Sequence, residues 1–293
     1  MRRKILKFLQ NAGTKTAEVP AGERPYTIGD FDISLPNSHL LAMHQRDHPL
    51  YDRFLLSLGN LKLDGWIIDI GANVGDSAAA LLSTSPKRLL CLEPADEFFP
   101  LLETNAALFR KAGSRVTCIK SAVGPGGQSA RLNLNVSTAS LTAGAPGLVL
   151  VSLDQLIALH CNDGARVQLI KCDVDGFDAM ALGSGLDAIS RDQPLLYFEA
   201  EITSQACLTQ TIAFCQRLTD AGYRNWSLFD NFGLPLHEDV SVAAVSGALN
   251  YTWALYERRS TRTIYYFDVL CSTEQYRPHH LAALAHFKKR WLG

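Results

Sequence analysis

Trp66-Ile67-Ile68-Asp69-Ile70-Gly71-Ala72-Asn73-Val74-Gly75-Asp76 joins an apolar run to a glycine-punctuated turn, and Ser77-Ala78-Ala79-Ala80-Leu81-Leu82 follows with helical composition. Strand, tight loop and helix N-terminus in direct succession make a nucleotide-type binding corner at the edge of a parallel sheet. Gly71 and Gly75 let the backbone adopt positive φ and come close to a ligand. The dinucleotide pattern G-x-G-x-x-G has a glycine where this chain has Asn73, so the run is Asp-x-Gly-x-x-x-Gly. An acid two residues before the first glycine, Asp69, suits a ligand with an amino group or positive charge better than a pyrophosphate.

Outward from this corner, strand-like and helix-like segments alternate. Ile67–Ile70, Arg88–Leu92, Arg115–Lys120, Val167–Cys172 and Leu195–Phe198 read as five strands, and Arg224–Phe229 and Thr263–Leu270 as the last two. Helices are expected after Asp96, which can cap the first of them, over Gln155–His160 with Asp154 as cap, over Gln205–Asp220 and over Val240–Leu255. Ala130, Leu132, Leu134 and Val136 alternate as a β excursion, and residues 137–148 read as a flexible loop. This order predicts a doubly wound, mostly parallel α/β sheet. Upstream, Tyr26–Ile33 reads as a short strand pair and Leu40–Leu58 as helical with a break near Pro49. The expected division is an extension and cap over residues 1–58 and a main domain over 59–293.

Composition narrows the classes. The chain has 293 residues, 47% hydrophobic and 19% charged, enough to bury a core without disulfides or a structural metal. A formal net charge of −1 carries no nucleic-acid footprint. The seven cysteines are scattered singly, which predicts a reducing, cytoplasmic setting. Arg2, Arg3, Lys4 and Lys7 surround an apolar segment too short for a signal peptide or a membrane span, so no integral membrane segment is expected.

In open α/β sheets ligands bind beyond the carboxyl ends of the strands. Here those ends carry Asp69, Glu93, Ser121, Asp173 and Glu199. Glu93 is placed to accept both hydroxyls of a ribose. A ribose, an ammonium, a carboxylate and a sulfonium together describe S-adenosylmethionine. Lys171 is expected to pair with an acid. Glu199 and Glu201 facing Asp173 offer oxygen ligands for a magnesium-type ion, with structural strand-end acids the favoured reading. Asn231 is a weaker acceptor-side candidate. His44 and His48 at i, i+4 lack a third metal ligand nearby, and His160 and His237 are remote candidate bases. Tyr251, Trp253 and Tyr256 read as packing residues that could wall a pocket.

Several of these blocks resemble those of one family. Ile68–Asp76 resembles motif I of the FkbM family of class I methyltransferases, and Leu92-Glu93-Pro94 its acidic ribose-binding step. Ser121-Ala122-Val123-Gly124, Val151-Ser152-Leu153-Asp154 and Ile264–Leu270 look like further elements of it. Leu169-Ile170-Lys171-Cys172-Asp173-Val174-Asp175-Gly176-Phe177-Asp178 is similar to its "l-K-i-D-V-E-G-x-E" signature, with Asp175 and Asp178 where glutamate is usual.

The resemblance implies a seven-stranded Rossmann-like sheet and methyl transfer from S-adenosylmethionine to a hydroxyl of a sugar, glycan or secondary metabolite. It implies cofactor contacts from Asp69, Gly71, Asn73, Gly75, Glu93, Ser121 and Ala122, and a catalytic Asp173, without a resident metal. The expected partner is a small-molecule or glycan acceptor. The competing readings are an NAD(P)-dependent oxidoreductase, against which Asn73 counts, and a non-catalytic cofactor-binding module.

Overall fold

A computed structural model describes residues 22–135, 137–258, 261 and 263–293. The basic N-terminal segment and Val136 of the alternating run lie outside the described residues. The strands are β1 (Glu23–Ile28), β2 (Phe31–Pro36), β3 (Trp66–Ile70), β4 (Arg88–Leu92), β5 (Arg115–Ile119), β6 (Ser129–Leu134), β7 (Ala139–Ala143), β8 (Leu148–Val149), β9 (Val167–Cys172), β10 (Leu195–Glu201), β11 (Tyr223–Asp230), β12 (Pro235–Val240) and β13 (Tyr266–Thr273). The helices are α1 (Leu41–Asp47), α2 (Phe54–Gly59), α3 (Asp76–Leu82), α4 (Phe99–Lys111), α5 (Leu153–His160), α6 (Asp178–Gly183), α7 (Leu186–Asp192), α8 (Gln205–Asp220), α9 (Val242–Glu257) and α10 (Arg277–Trp291).

The main sheet runs β12-β11-β13-β10-β9-β3-β4-β5. The five strands from β5 to β10 pair in parallel, and β13 inserts antiparallel between β10 and β11. This is the expected doubly wound sheet with reversal at β3, where the order turns from β4 to β9. β3 is buried along its whole length, as a central strand covered on both faces must be. Its side chains alternate between two apolar layers: Ile67 joins the layer of α2, α3, α4 and α10, while Ile68 and Ile70 join the layer of α5 to α9. No described helix is long and apolar enough to cross a membrane.

An eighth strand, β12, extends the sheet beyond the seven expected. Its sequence Pro-Leu-His-Glu-Asp-Val hides the strand signal, because an antiparallel edge tolerates a proline and charges that a central strand does not. Residues 137–148 are not a plain loop. β7 and β8 flank β6 in a three-stranded antiparallel sheet outside the main one. Small Ala, Ser and Thr residues on a partly exposed ribbon give no apolar alternation to read.

Two expected caps are placed elsewhere. Asp96 does not cap α4. The cap position is Phe98, without a side-chain bond, and Asp96 pairs with Lys120. Ser152, not Asp154, caps α5 in a reciprocal box with Gln155. The Asp154 carboxylate instead accepts the Ala188 N–H at 2.8 Å, in the first turn of α7. The run Leu40–Leu58 is broken into α1 and α2 with turns between.

The β1–β2 hairpin, α1 and α2 have no separate core. Ile33, Leu35, Leu41, Phe54 and Leu58 pack in one apolar cluster with Ile67, Leu81 and Leu89 of the sheet layer. Asn105 of α4 is the polar fastener of this joint. Its Nδ2 donates to the Ser34 carbonyl (3.0 Å) and the Val74 carbonyl (2.8 Å), and its Oδ1 accepts the Ser34 N–H (2.9 Å). One fully buried side chain thus holds the hairpin against the loop after β3.

α2 also lies directly on α3. A Cβ added at Gly59 would stand 2.2 Å from the Ala80 carbonyl oxygen. Gly59→Ala is therefore expected to pry α2 from α3 and lower unfolding free energy by about 1–3 kcal/mol in urea titration.

Candidate functional site

Gly71 follows β3 with φ 73°, and a Cβ there would lie 2.1 Å from the Asp173 carbonyl oxygen. Only a glycine lets the turn pass this close to the end of β9. The Gly71 and Ala72 N–H groups donate to the Leu92 carbonyl at the tip of β4 (2.9 and 3.1 Å), and the Asp173 N–H donates to Ile70 (3.1 Å). Three neighbouring strand tips are bound together by this turn. Gly75, at φ 90°, occupies the N-cap position of α3.

Asn73 is left-handed too, at φ 50°. Asparagine tolerates this region better than most residues, since its short polar side chain bonds locally. Its backbone N–H donates to Glu93 Oε2 (2.9 Å), and its Nδ2 donates to the Ser137 carbonyl (2.9 Å). Glu93 Oε1 accepts the Ala95 N–H (2.8 Å). Burial pushes the Glu93 carboxyl up to about 7, against the pull of those two N–H groups. Glu93 is thus a buried, oriented acceptor with both oxygens partly engaged.

Asp69 is not placed toward a ligand. It is completely buried, accepts the Ser77 hydroxyl at 2.6 Å, and lies 3.2 Å from Lys171 Nζ. Parallel register sets Asp69 directly beside Lys171, and strand alternation sends both side chains to the same face. The positive partner anticipated for Asp69 is therefore within the chain. Lys171 Nζ also donates to the Gly71 carbonyl (3.0 Å). Burial alone would strip a proton from Lys171, but the carboxylates of Asp69, Asp173 and Asp76 outweigh it and hold the pKa above the ordinary lysine value.

A cavity with about 1000 Å³ of space, mouth included, opens over these tips. Of the expected site residues, Gly71, Asn73, Glu93 and Asp173 line it, whereas Asp69, Gly75, Ser121 and Ala122 do not. Ser121 and Ala122 follow β5. Ala122 is buried, and the Ser121 hydroxyl is buried without a hydrogen-bond partner among the described residues. Lys171, Asp175 and Asp76 join the lining, as do Ser137 and Thr138 from the segment between β6 and β7.

The acids beyond β9 converge. Asp173, Asp175 and Glu199 each offer a carboxylate oxygen within 4.8 Å of the others. Asp175 takes the place in this trio that the sequence offered to Glu201. Asp178 is buried, and burial followed by the charge of Asp173 pushes it up to about 8. Asn231 is committed to structure, its Oδ1 accepting the Tyr265 N–H at 2.8 Å. His44 lines the cavity beside Tyr51, with ring centroids 5.0 Å apart, while His48 stacks on Phe232 at 4.3 Å. His160, His237, Tyr251, Trp253 and Tyr256 are not part of the lining.

The N-terminal segment, expected as a cap, supplies another part of the lining. His39, Gln45, Tyr51, Asp52 and Arg53 line the cavity together with the tips of β3, β4 and β9. They carry no motif, and only tertiary folding brings them there.

A reversal point at a buried central strand, a glycine turn and an oriented acid on the next strand define a nucleotide-cofactor-binding α/β protein. The sequence matches the Methyltransferase FkbM domain over residues 69–225, more than half of the chain, and the chain belongs to the FkbM methyltransferase family. No curated protein matches it. Among solved structures it is similar to the methyltransferase FkbM of Methylobacillus flagellatus KT, with 21% identity over 56% of this chain and 41% of that one, at a TM-score of 0.38. The chain therefore spans about two fifths of that relative's length. It is also similar to a SAM-dependent methyltransferase of Geobacter sulfurreducens in complex with S-adenosyl-L-homocysteine (12% identity, 79% of this chain, 96% of that one, TM-score 0.40). A third is the precorrin-6y C5,15-methyltransferase of Geobacter metallireducens GS-15 (14%, 76% and 88%, 0.40).

Lys171→Met would leave the Asp69 carboxylate buried without its counter-charge, and unfolding free energy measured in urea at pH 7 is expected to fall by about 3–5 kcal/mol. Glu93 gives a pH signature. Its folded value of about 7 lies above the ordinary 4.5, so the folded state holds the proton longer and stability is lost as pH rises through this window. Glu93→Gln should remove that share of the decline, on the order of 3 kcal/mol between the two ends, in unfolding titrations from pH 4.5 to 7.

Proposed function

We propose that the chain is an S-adenosylmethionine-dependent O-methyltransferase acting on a hydroxyl of a sugar, glycan or secondary metabolite. The observation that carries this reading is the meeting of Glu93 and Asp173, from two strand tips on either side of β3, in one cavity with the bare backbone of Gly71 between them. Membership of the FkbM family supports the donor. The same reading takes residues 59–293 as the methyltransferase domain and residues 1–58 as its extension.

The residues present fit that donor. Asn73 Oδ1 and Thr138 Oγ1 line the cavity as buried polar atoms with no hydrogen-bond partner among the described residues. Such atoms are costly unless a ligand or water satisfies them. The missing Cβ at Gly71 lets the turn pack against the Asp173 carbonyl, and Lys171 fixes the orientation of the Gly71 carbonyl. Glu93 is set to accept ribose hydroxyls with the lone pairs that Asn73 and Ala95 leave over. When bound, S-adenosylmethionine supplies a methyl group made electrophilic by the sulfonium.

The chain then has two tasks: alignment and proton removal. Alignment of acceptor oxygen with the methyl group supplies a large part of the rate in any in-line displacement. The Asp173 carboxylate orients the acceptor hydroxyl by accepting its O–H, and takes the proton as the oxygen commits its lone pair. Asp175 and Glu199 place further carboxylate oxygens within 4.8 Å of Asp173, so the acceptor side of the cavity is rich in hydrogen-bond acceptors.

The reading is tested by calorimetry and turnover together. S-adenosylhomocysteine should bind the wild-type chain, and Glu93→Ala should weaken it by about tenfold or more. Asp173→Asn should retain that affinity while lowering turnover by roughly 10²–10⁴. Binding of NAD in place of S-adenosylhomocysteine would refute the donor assignment. Loss of turnover in EDTA would reassign Asp173, Asp175 and Glu199 to a metal.

A further inference from the structure

The cavity has two walls of different origin. The donor wall comes from the strand tips within residues 69–225, the segment that matches the family. The opposite wall comes from the N-terminal segment before it, through His39, His44, Gln45, Tyr51, Asp52 and Arg53. If the donor wall holds the cofactor, the segment facing it meets the acceptor.

The chain between α1 and α2 is held in a demanding shape. Tyr51 N–H donates to the His48 carbonyl (2.9 Å), and Arg53 N–H to the Leu50 carbonyl (3.0 Å). Gln45 Nε2 donates to the Tyr51 carbonyl (3.1 Å), while its Oε1 accepts the Tyr26 hydroxyl (2.7 Å). From the other side, the turn between β11 and β12 presses in. A Cβ at Gly233 would lie 2.2 Å from the Leu50 carbonyl oxygen, and Phe232 stacks on His48. Between these clamps Asp52 sits at φ 58°, a left-handed conformation that costs free energy in a residue with a Cβ. Strain of this kind persists only where the surroundings over-determine it, and here they deliver a carboxylate into the cavity.

We propose that Asp52 is an acceptor-binding residue in the same cavity as Asp173, and that the loop 48–53 selects an uncharged polyhydroxylated acceptor over an acidic one. Two carboxylates in one cavity can each accept a hydroxyl of one polyol, which fixes which oxygen meets the methyl group. Both carboxylates make themselves felt at the same place. The charges of Asp52 and Asp173 each add to the burial that pushes the neighbouring Asp268 carboxyl and Tyr197 hydroxyl well up.

The charge preference follows from the lining. Asp52, Asp76, Glu93, Asp173 and Asp175 are its carboxylates, against the cations Lys171 and Arg53, and Lys171 is committed to Asp69 and Gly71. A uronic acid or a phosphorylated sugar would enter a field of its own sign.

This inference rests on the hydroxyl-acceptor reading, and the test separates the two. The full chain is assayed with radiolabelled S-adenosylmethionine against methyl glycosides of neutral hexoses, each beside the corresponding uronic acid. Wild type is compared with Asp52→Asn and Asp52→Gly. Asparagine and glycine both tolerate the left-handed backbone, so the loop keeps its shape and only the carboxylate is lost. The expected result is methylation of a neutral glycoside with at least about tenfold higher kcat/KM than its uronic acid. In both variants the acceptor KM should rise about tenfold or more while the Kd for S-adenosylhomocysteine stays within about twofold, and discrimination against the uronic acid should shrink.

An unchanged acceptor KM in both variants, or a uronic acid used as well as its neutral counterpart, would overturn the proposal. So would a parallel loss of S-adenosylhomocysteine affinity, which would move Asp52 to the donor. If S-adenosylhomocysteine binds and no glycoside is methylated, the sugar-acceptor reading fails and the role of Asp52 falls with it. If S-adenosylhomocysteine does not bind wild type, the donor assignment itself fails.

Discussion

The ion pair between Lys171 and Asp69 is the constraint around which the site is built. Two opposite charges stand side by side in adjacent parallel strands, β9 and β3, at the centre of the sheet. Neither can reach water, so each is tolerable only because the other is there. The lysine's further bond to the Gly71 carbonyl carries the constraint from the strands into the turn. The turn then fixes the Asn73 N–H that, with the Ala95 N–H from the loop after β4, orients Glu93. The geometry of the turn is thus transmitted from a charge pair buried between two strands. The arrangement also explains why an acid can precede the glycine turn without facing the cavity.

Most of the main sheet was legible in the sequence because a covered parallel sheet writes itself as apolar runs ending in polar tips. Ile67–Ile70, Arg88–Leu92 and Val167–Cys172 declare themselves in that way. Glu93, Asn73 and Asp173 could be placed in the site because their positions follow directly from strand ends. The pairing of Asp69 with Lys171 was not legible. The two lie about a hundred residues apart, and register between strands is a tertiary fact. β12 and β7 were illegible for a different reason: exposed edges need no hydrophobic pattern. Asp96 and Asp154 were misplaced as caps because their chain neighbours suggested a local role, while Lys120 and the first turn of α7 offered nonlocal ones.

The cavity joins a part with a sequence signature to one without. Asn73 and Glu93 bring backbone geometry that any nucleotide-like cofactor can use. Opposite them, the N-terminal segment contributes histidine, glutamine, tyrosine and aspartate whose placement depends on hydrogen bonds such as Gln45 to Tyr51 and Tyr26. Asn105 spans the two, bonded at once to the hairpin and to the turn after β3. A shift of the hairpin is therefore felt at the turn through one side chain. Function in such a fold resides in the site and its borders more than in the sheet.

The contact between Gly233 and Leu50 has an evolutionary and practical reading. The wall opposite the donor is contiguous in space but not along the chain, since its shape is set by residues 48–53 and by a turn some 180 residues later. A segment exchange that moved only the first of these between relatives would carry the loop without the surface that moulds it. Diversification of this cavity must then proceed by paired changes in two distant stretches, and the turn between β11 and β12, which itself never enters the pocket, is inherited as part of it.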